Sequence, residues 1–198
     1  MAIFEINPLT DARWGELLRR HPAAALFHTC GWLEALRRTY VFEPAVITTA
    51  VPGQALTNGL VYCRVQSVVT GKRLVSLPFS DHCEPLCQDG TDLNQLIDGL
   101  AKRAAAGRCK YAEIRPASAL PDGVGGFVSG CKYWHHQLDM RGGERNVFQG
   151  FHKDCVQRKV RRAEKERLAI TVGNSRRDVE EFYRLMILTR RRHGLPPP

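Results

Sequence analysis

Arg158, Arg161, Arg162 and Lys165 recur at i, i+3, i+4 and i+7, with Lys159 beside them, so in a helix the four share one face. Forked guanidinium groups match phosphate oxygens, and such a face suits a phosphate-bearing partner. Glu164 and Glu166 fall in the same stretch and would steady it as an ordinary solvated helix surface, so the run alone leaves both uses open. Arg190, Arg191, Arg192 and His193 form a second basic cluster. Cations there complement the negative end of a helix dipole, and contact of Arg191 and His193 with an anionic substrate is the other use.

The groups that can take a proton from an attacking amine are Asp81, Glu113, His135, His136 and His193, of which Asp81 and His136 are the catalytic candidates carried forward. Asp81 follows Pro78-Phe79-Ser80 at the end of a predicted strand, where loops carry function, although Ser80-Asp81 is also an ordinary turn opener. His135 and His136 in a strand would face opposite sides, one packed and one exposed. No Ser/His/Asp triad or Cys/His pair can be picked out by spacing. Cys83 and Cys87 with His82 resemble half a zinc site, but no second pair follows at ligand spacing, and we expect no metal. The seven cysteines are an odd set scattered singly, read as reduced thiols that pack as small hydrophobes. Gly123-Val124-Gly125-Gly126 is rich in glycine, yet residues 127–131 after it read as strand, which makes it a hairpin turn rather than a phosphate loop opening a helix.

The elements that would hold these residues alternate between helix and strand. Asp11 caps a helix carrying Trp14, Leu17 and Leu18, stopped at His21-Pro22; Thr29 opens a second with Trp32, Leu33, Leu36 and Tyr40 on one side. Residues 45–50, 59–69 and 73–79 form a β-meander, the last two joined by a turn at Thr70-Gly71-Lys72. A helix over 92–106 ends at Gly107, a strand covers 111–115, and 116–130 is a loop. A strand at 133–140, a long basic helix at 146–167, a strand at 168–172 and a helix at 178–192 with Val179, Phe182, Leu185, Met186 and Thr189 inward complete the pattern. The aromatic residues Trp14, Trp32, Tyr40 and Phe182 belong to the core. The class is α/β, of the mixed α+β kind.

The 198 residues, 43% hydrophobic and 25% charged, have ordinary globular composition, and no window offers the roughly 20 apolar residues of a membrane span. Neither an export signal nor a span is visible, so a cytoplasmic location is expected. The net charge of +9 is local: residues 1–140 hold 14 Lys+Arg against 13 Asp+Glu, and 141–198 hold 15 against 7. That concentration favours phosphate-bearing partners without choosing among nucleotide, coenzyme A, tRNA or an anionic precursor.

Five segments in one order carry a resemblance: Val75-Ser76-Leu77-Pro78-Phe79-Ser80-Asp81; Glu113-Ile114-Arg115; His136-Gln137-Leu138-Asp139-Met140; Arg158-Lys159-Val160-Arg161-Arg162-Ala163-Glu164-Lys165; and Thr189-Arg190-Arg191-Arg192-His193-Gly194-Leu195-Pro196-Pro197. The chain resembles the FemAB-like branch of the GNAT acyltransferase superfamily, most of all the variants found with bacterial exopolysaccharide and protein-sorting systems. The resemblance implies a GNAT-like (acyl-CoA N-acyltransferase-like) fold, with a first module at 1–136 and the truncated start of a second at 137–198. It implies an N-acyltransferase moving an acyl or aminoacyl group to an amine of a cell-envelope or peptidoglycan-related substrate. No tightly bound cofactor is expected, the donor being aminoacyl-tRNA or acyl-CoA. Arg158, Lys159, Arg161, Arg162, Lys165, Arg191 and His193 are the substrate-binding residues on that reading, and an amino-terminal fragment inactive by itself is the expected form. The alternatives are a nucleic-acid-binding module using the basic carboxy-terminal segment and a noncatalytic acyltransferase-like partner. The first lacks aromatics interleaved with basic residues on a strand face.

Overall fold

In the computed structural model, residues 2–69, 71–120 and 123–196 are described; Thr70 of the expected turn, Pro121 and Asp122 of the loop, and the terminal Pro197 and Pro198 lie outside them. The chain divides into two compact units, Met1–His135 and His136–Pro198.

In the first unit, helix α1 (Ala12–Arg20) starts where the Asp11 carboxylate accepts the Arg13 amide, and ends at His21 ahead of Pro22. Helix α2 (Cys30–Tyr40) is capped by Thr29, whose hydroxyl oxygen accepts the Trp32 amide at 3.3 Å. Their inward residues Trp14, Leu17, Leu33 and Leu36 are buried, as the helical spacing requires. Five strands follow the order β1 (Phe4–Ile6), β2 (Glu43–Thr48), β3 (Leu60–Ser67), β4 (Gly71–Ser76) and β5 (Tyr111–Ile114) across one sheet. The first three pairings are antiparallel, and β4 with β5 is parallel. A parallel pair needs a crossover, which helix α3 (Gly90–Ala106) supplies. The α/β class expected from the interleaved pattern is therefore what the structure shows.

Strand alternation divides the core in two. Val46, Val61, Cys63, Val65 and Val75 pack under α1 and α2 on one sheet face. Ala45, Ile47, Leu60, Tyr62 and Leu74 pack under Leu96, Ile97 and Leu100 of α3 on the other. Gly59 leaves room for α1 against the sheet: a Cβ there would meet Trp14 Cζ3 at 2.8 Å and Val46 Cγ1 at 3.0 Å. Helix α3 ends at Gly107 as expected, but the left-handed residue is the next one, Arg108, at φ 50°.

The regular elements among the described residues of the second unit are all helical: α4 (Gly143–Gly150), a short π-helical turn at Lys153–Gln157, α5 (Arg158–Lys165) and α6 (Arg176–Arg192). The strands expected at 127–131 and 133–140, which begin in the first unit, and at 168–172 are not formed; these stretches carry no ladder, and Tyr133, Trp134 and Ile170 stay exposed. A strand is made by its neighbours, so apolar alternation without a partner edge gives none. The single helix expected at 146–167 is broken at Phe151-His152, because both residues are extended and the His152 ring accepts the amides of Asp154 and Cys155 through Nδ1, restarting the chain as a fresh helix. Helix α6 forms, but Val179, Phe182 and Leu185 are exposed instead of inward. Of the four aromatics assigned to the core only Trp14 is fully buried; Trp32 is half-buried, and Tyr40 and Phe182 are exposed.

Candidate functional site

The two segments leaving the parallel pair meet. The Arg115 amide donates to the Ser76 carbonyl at 3.2 Å, and the Cys83 amide donates to the Arg115 carbonyl at 2.6 Å. The Arg115 guanidinium closes the corner, with Nη1 donating to the Ser80 carbonyl at 3.1 Å and Nε to Glu113 Oε1 at 2.6 Å. Ligands of open α/β sheets settle outside the carboxyl ends of parallel strands, and this is that end.

A groove of about 270 Å³ runs along the sheet face here, lined by Phe42, Val65, Arg73, Val75, Pro78, Phe79, Tyr111, Glu113 and Arg115. Register explains the composition. Val65, Arg73 and Tyr111 form one cross-strand row and Val75 with Glu113 the next, all on the face that α1 and α2 cover farther along the sheet. One wall is aromatic. Tyr40 stacks on Phe79 with ring centroids 4.5 Å apart, and Phe42 lies 5.4 Å from Tyr40 and 6.3 Å from Phe79. Val41 and Phe79, on either side of this stack, both hold φ at 57°. Neither a β-branched nor a bulky residue takes that conformation readily, and such outliers gather at binding sites.

Of the proton acceptors read from the sequence, Glu113 is the one the fold brings to the groove. Asp81 lies two residues past Phe79 on an exposed bend and is not among the lining residues. His135 is not in a strand; its ring lies 5.1 Å from that of His82, which meets Phe27 edge-on at 5.5 Å. His136 is exposed in an irregular stretch, so the two-faced strand expected for the histidine pair does not exist. His193 is the exposed C-terminal cap of α6, with Arg191 in its last turn.

The basic residues of α5 are all exposed. Arg161 donates to Gln157 Oε1 at 3.3 Å with its guanidinium 6.0 Å from the centre of the Phe148 ring, and Arg162 pairs with Glu166 at 2.7 Å. Arg158, Lys159 and Lys165 reach solvent.

One cysteine and histidine do meet. Cys83 Sγ lies 3.5 Å from His28 Nε2 in the interior. Burial pushes the Cys83 thiol up to about 12 and holds the His28 imidazole below its usual value, so both are neutral at pH 7 and the pair is a packing contact, not a nucleophile with its base. Cys83 therefore points inward, away from the role of metal ligand with Cys87 and His82, and no group of three His, Cys, Asp or Glu fit to hold a metal occurs among the described residues. All seven cysteines are free thiols.

Two places were candidates for a diphosphate. The first-turn amides of α3 are already taken, since the Asp89 carboxylate accepts from Thr91 at 2.8 Å and Asp92 at 2.9 Å. Residues 123–126 make a tight turn, with Gly123, Gly125 and Gly126 all at positive φ, and open no α-helix. A second groove of about 540 Å³ beside β1 contains Glu5 and Asp11. Glu5 holds the sheet to α3: burial works to raise its pKa, and hydrogen bonds from Tyr62, Arg64 and Arg103 outweigh that to leave it lowered. Asp11 is engaged by Arg13 at 2.7 Å.

The sequence reading missed Arg73, Phe42, Phe79, Tyr111 and Arg115 as lining residues. Tyr111-x-Glu113-x-Arg115 has strand alternation that was available as a signal; which strand would pair with it was not.

No protein-family model matches the chain, and no curated protein does. Among solved structures it is similar to the ribosomal-protein-alanine N-acetyltransferase from Brucella melitensis biovar Abortus 2308, at 14% identity and a TM-score of 0.40, over 69% of this chain and 99% of that one. It is also similar to a probable acetyltransferase, at 12% identity and a TM-score of 0.36, over 70% of this chain and 97% of that one. Among the described residues no helix is long and apolar enough to cross a membrane.

Proposed function

We propose that the chain is an N-acyltransferase of the FemAB-like branch of the GNAT superfamily, transferring an acyl or aminoacyl group to an amine of a cell-envelope-related substrate. One observation carries the reading. Two of the five segments behind the resemblance, Val75 to Asp81 and Glu113 to Arg115, are tied together by hydrogen bonds spanning 35 residues at the open end of the parallel pair. Acyl transfer to an amine needs a proton acceptor beside the acceptor nitrogen, and Glu113 is the carboxylate in that groove, oriented by Arg115. At α3, the helix that follows β4, two of the first-turn amides a coenzyme A diphosphate would use are taken by the Asp89 carboxylate. Aminoacyl-tRNA, whose phosphates would be met by Arg158, Lys159, Arg161, Arg162 and Lys165, is for that reason the donor we favour over acyl-CoA, with Arg191 and His193 as further anion contacts.

The test is acyl transfer from aminoacyl-tRNA and from acyl-CoA to amine acceptors, followed by the mass of the product. Glu113→Gln should abolish turnover, and the Arg161→Ala/Arg162→Ala pair should raise KM for the tRNA donor. Full turnover in Glu113→Gln removes the assigned base. Salt-sensitive binding of random single-stranded nucleic acid without transfer of any acyl group would favour the nucleic-acid-binding alternative.

A further inference from the structure

The groove has a chemistry of its own that narrows the acceptor. Its floor is Val65 and Val75, its walls are Phe42, Phe79, Pro78 and Tyr111, and its charged groups are two guanidinium ions, Arg73 and Arg115, against one carboxylate, Glu113. In the Arg115–Glu113 pair, Nε and Nη1 of the arginine and Oε1 of the glutamate are committed to one another and to Ser80, while both residues line the groove, so guanidinium Nη2 and carboxylate Oε2 are the atoms of the pair that a ligand could engage. A fixed donor next to a fixed acceptor complements a molecule that carries an ammonium and a carboxylate close together. The aromatic wall asks for an apolar group on the same molecule. Phe79 is 59% exposed with its ring stacked on Tyr40 rather than sunk in the core, and its φ of 57° is held in place by the surrounding structure. A volume of about 270 Å³ is below the range of drug-sized pockets and matches one residue, not a peptide.

We infer that this groove is the acceptor site and that it takes a single α-amino acid with an aromatic or large aliphatic side chain, its carboxylate on Arg115, its amino group on Glu113 Oε2 and its side chain against Phe79, Phe42 and Val75. The inference rests on the acyltransferase reading for the word acceptor; the binding itself does not. The side-chain preference follows from wall chemistry, since a floor of valines under stacked rings holds an apolar group and offers an alanine methyl almost no contact. The requirement for both ends follows from the ion pair, whose committed atoms cannot turn to serve a ligand with one charge only.

Isothermal titration of the whole chain, without any acyl donor, tests it. L-phenylalanine is the probe, with L-alanine, phenethylamine (no carboxylate) and 3-phenylpropionate (no amine) as comparisons. L-phenylalanine should bind, and each of the other three should bind at least about tenfold more weakly. Phe79→Ala should weaken L-phenylalanine about fivefold or more with an unchanged circular dichroism spectrum, because the ring is exposed and its loss costs the fold little. Glu113→Gln should weaken L-phenylalanine while leaving 3-phenylpropionate unaffected. No heat with L-phenylalanine at millimolar concentration, or equal binding of L-alanine and L-phenylalanine, overturns the inference. Transfer of an acyl group to some other amine, with no amino-acid binding, overturns it and leaves the acyltransferase reading in place. Amino-acid binding with no acyl transfer from any donor upholds the site and overturns that reading.

Discussion

His28 links the buried chemistry of the first unit to a pH dependence that can be measured. Its side chain is 0% exposed and sits between two backbone groups: the Ala25 amide donates to Nδ1 at 3.1 Å, and Nε2–H donates to the Glu84 carbonyl at 2.8 Å. These partners specify the neutral ring protonated on Nε2, since a proton on Nδ1 would face an N–H group. Burial is the main cause holding its pKa below 6.5, and the neighbouring His82 and His21 push the same way. The native state therefore refuses a proton that the unfolded chain accepts. Stability from this group is fully present above the unfolded pKa of about 6.5 and is lost as pH falls below it, at up to about 1.4 kcal/mol per pH unit. From pH 7.5 to 5.5 the loss has a ceiling of about 1.4 kcal/mol, the limit of a ring that never protonates when folded, which is at most roughly 5 °C of melting temperature for a unit of this size. Lowered carboxyls such as Glu5 and Asp11 lose their contribution only below about pH 4.5, outside that window.

Trp14 is the reporter, for its Nε1–H donates to the His28 carbonyl at 3.0 Å and its ring lies 6.4 Å from the imidazole. Thermal unfolding followed by tryptophan emission at pH 7.5, 6.5 and 5.5 should show the drop in the native chain. It should be mostly absent in His28→Gln, whose amide can keep the bond to Glu84. A melting temperature unchanged between pH 7.5 and 5.5, or an equal fall in the variant, would refute the argument.

Other consequences can be checked as directly. Gly59→Ala drives a methyl group to within 2.8 Å of the Trp14 ring and should destabilise the first unit by about 1–3 kcal/mol in urea unfolding. Asp89→Ala removes the cap of α3 and should cost about 1 kcal/mol by the same measurement, with the helix otherwise intact. Titration of the native chain with a thiol reagent at pH 8 should give rapid reaction at the exposed Cys30, Cys131 and Cys155. Cys63 and Cys83, buried and pushed up to about 12, should react only after unfolding.

The first unit was largely legible because its signals are local. Asp11 and Thr29 each stand one residue before a helix and each accepts a first-turn amide, so these caps could be read from residue type and position, whereas α3 begins at Gly90, two residues ahead of the expected start, behind the Asp89 cap. The meander was legible for the same reason, since its turns join neighbours in the chain. The second unit was misread where the signal depended on a partner. Residues 133–140 alternate well enough for a strand, but alternation fixes only which side chains share a face, and the stretch forms no ladder. His152 gave no warning of the helix break because a capping imidazole is a feature of geometry, not of composition.

The candidate site shows the same division more sharply. Asp81 was favoured over Glu113 because the end of a strand is where a sequence reader expects function, yet the groove is set by register between β4 and β5, which are joined through a whole helix. Given the parallel pairing, the choice reverses by simple alternation. Arg73 opposite Tyr111 and Val75 opposite Glu113 put odd-numbered residues of both strands on one face, and even-numbered Leu74, Ala112 and Ile114 into the core against α3. Glu113 could not have been inside the core without an ion partner, and Arg115, two residues on, supplies it on the same face. The charge pair and its place at the open end of the sheet are thus one consequence of a single pairing, and shifting β5 by one residue against β4 would bury Glu113 under α3 and turn Ala112 and Ile114 toward the groove, while Leu74 keeps its face through its pairing with β3.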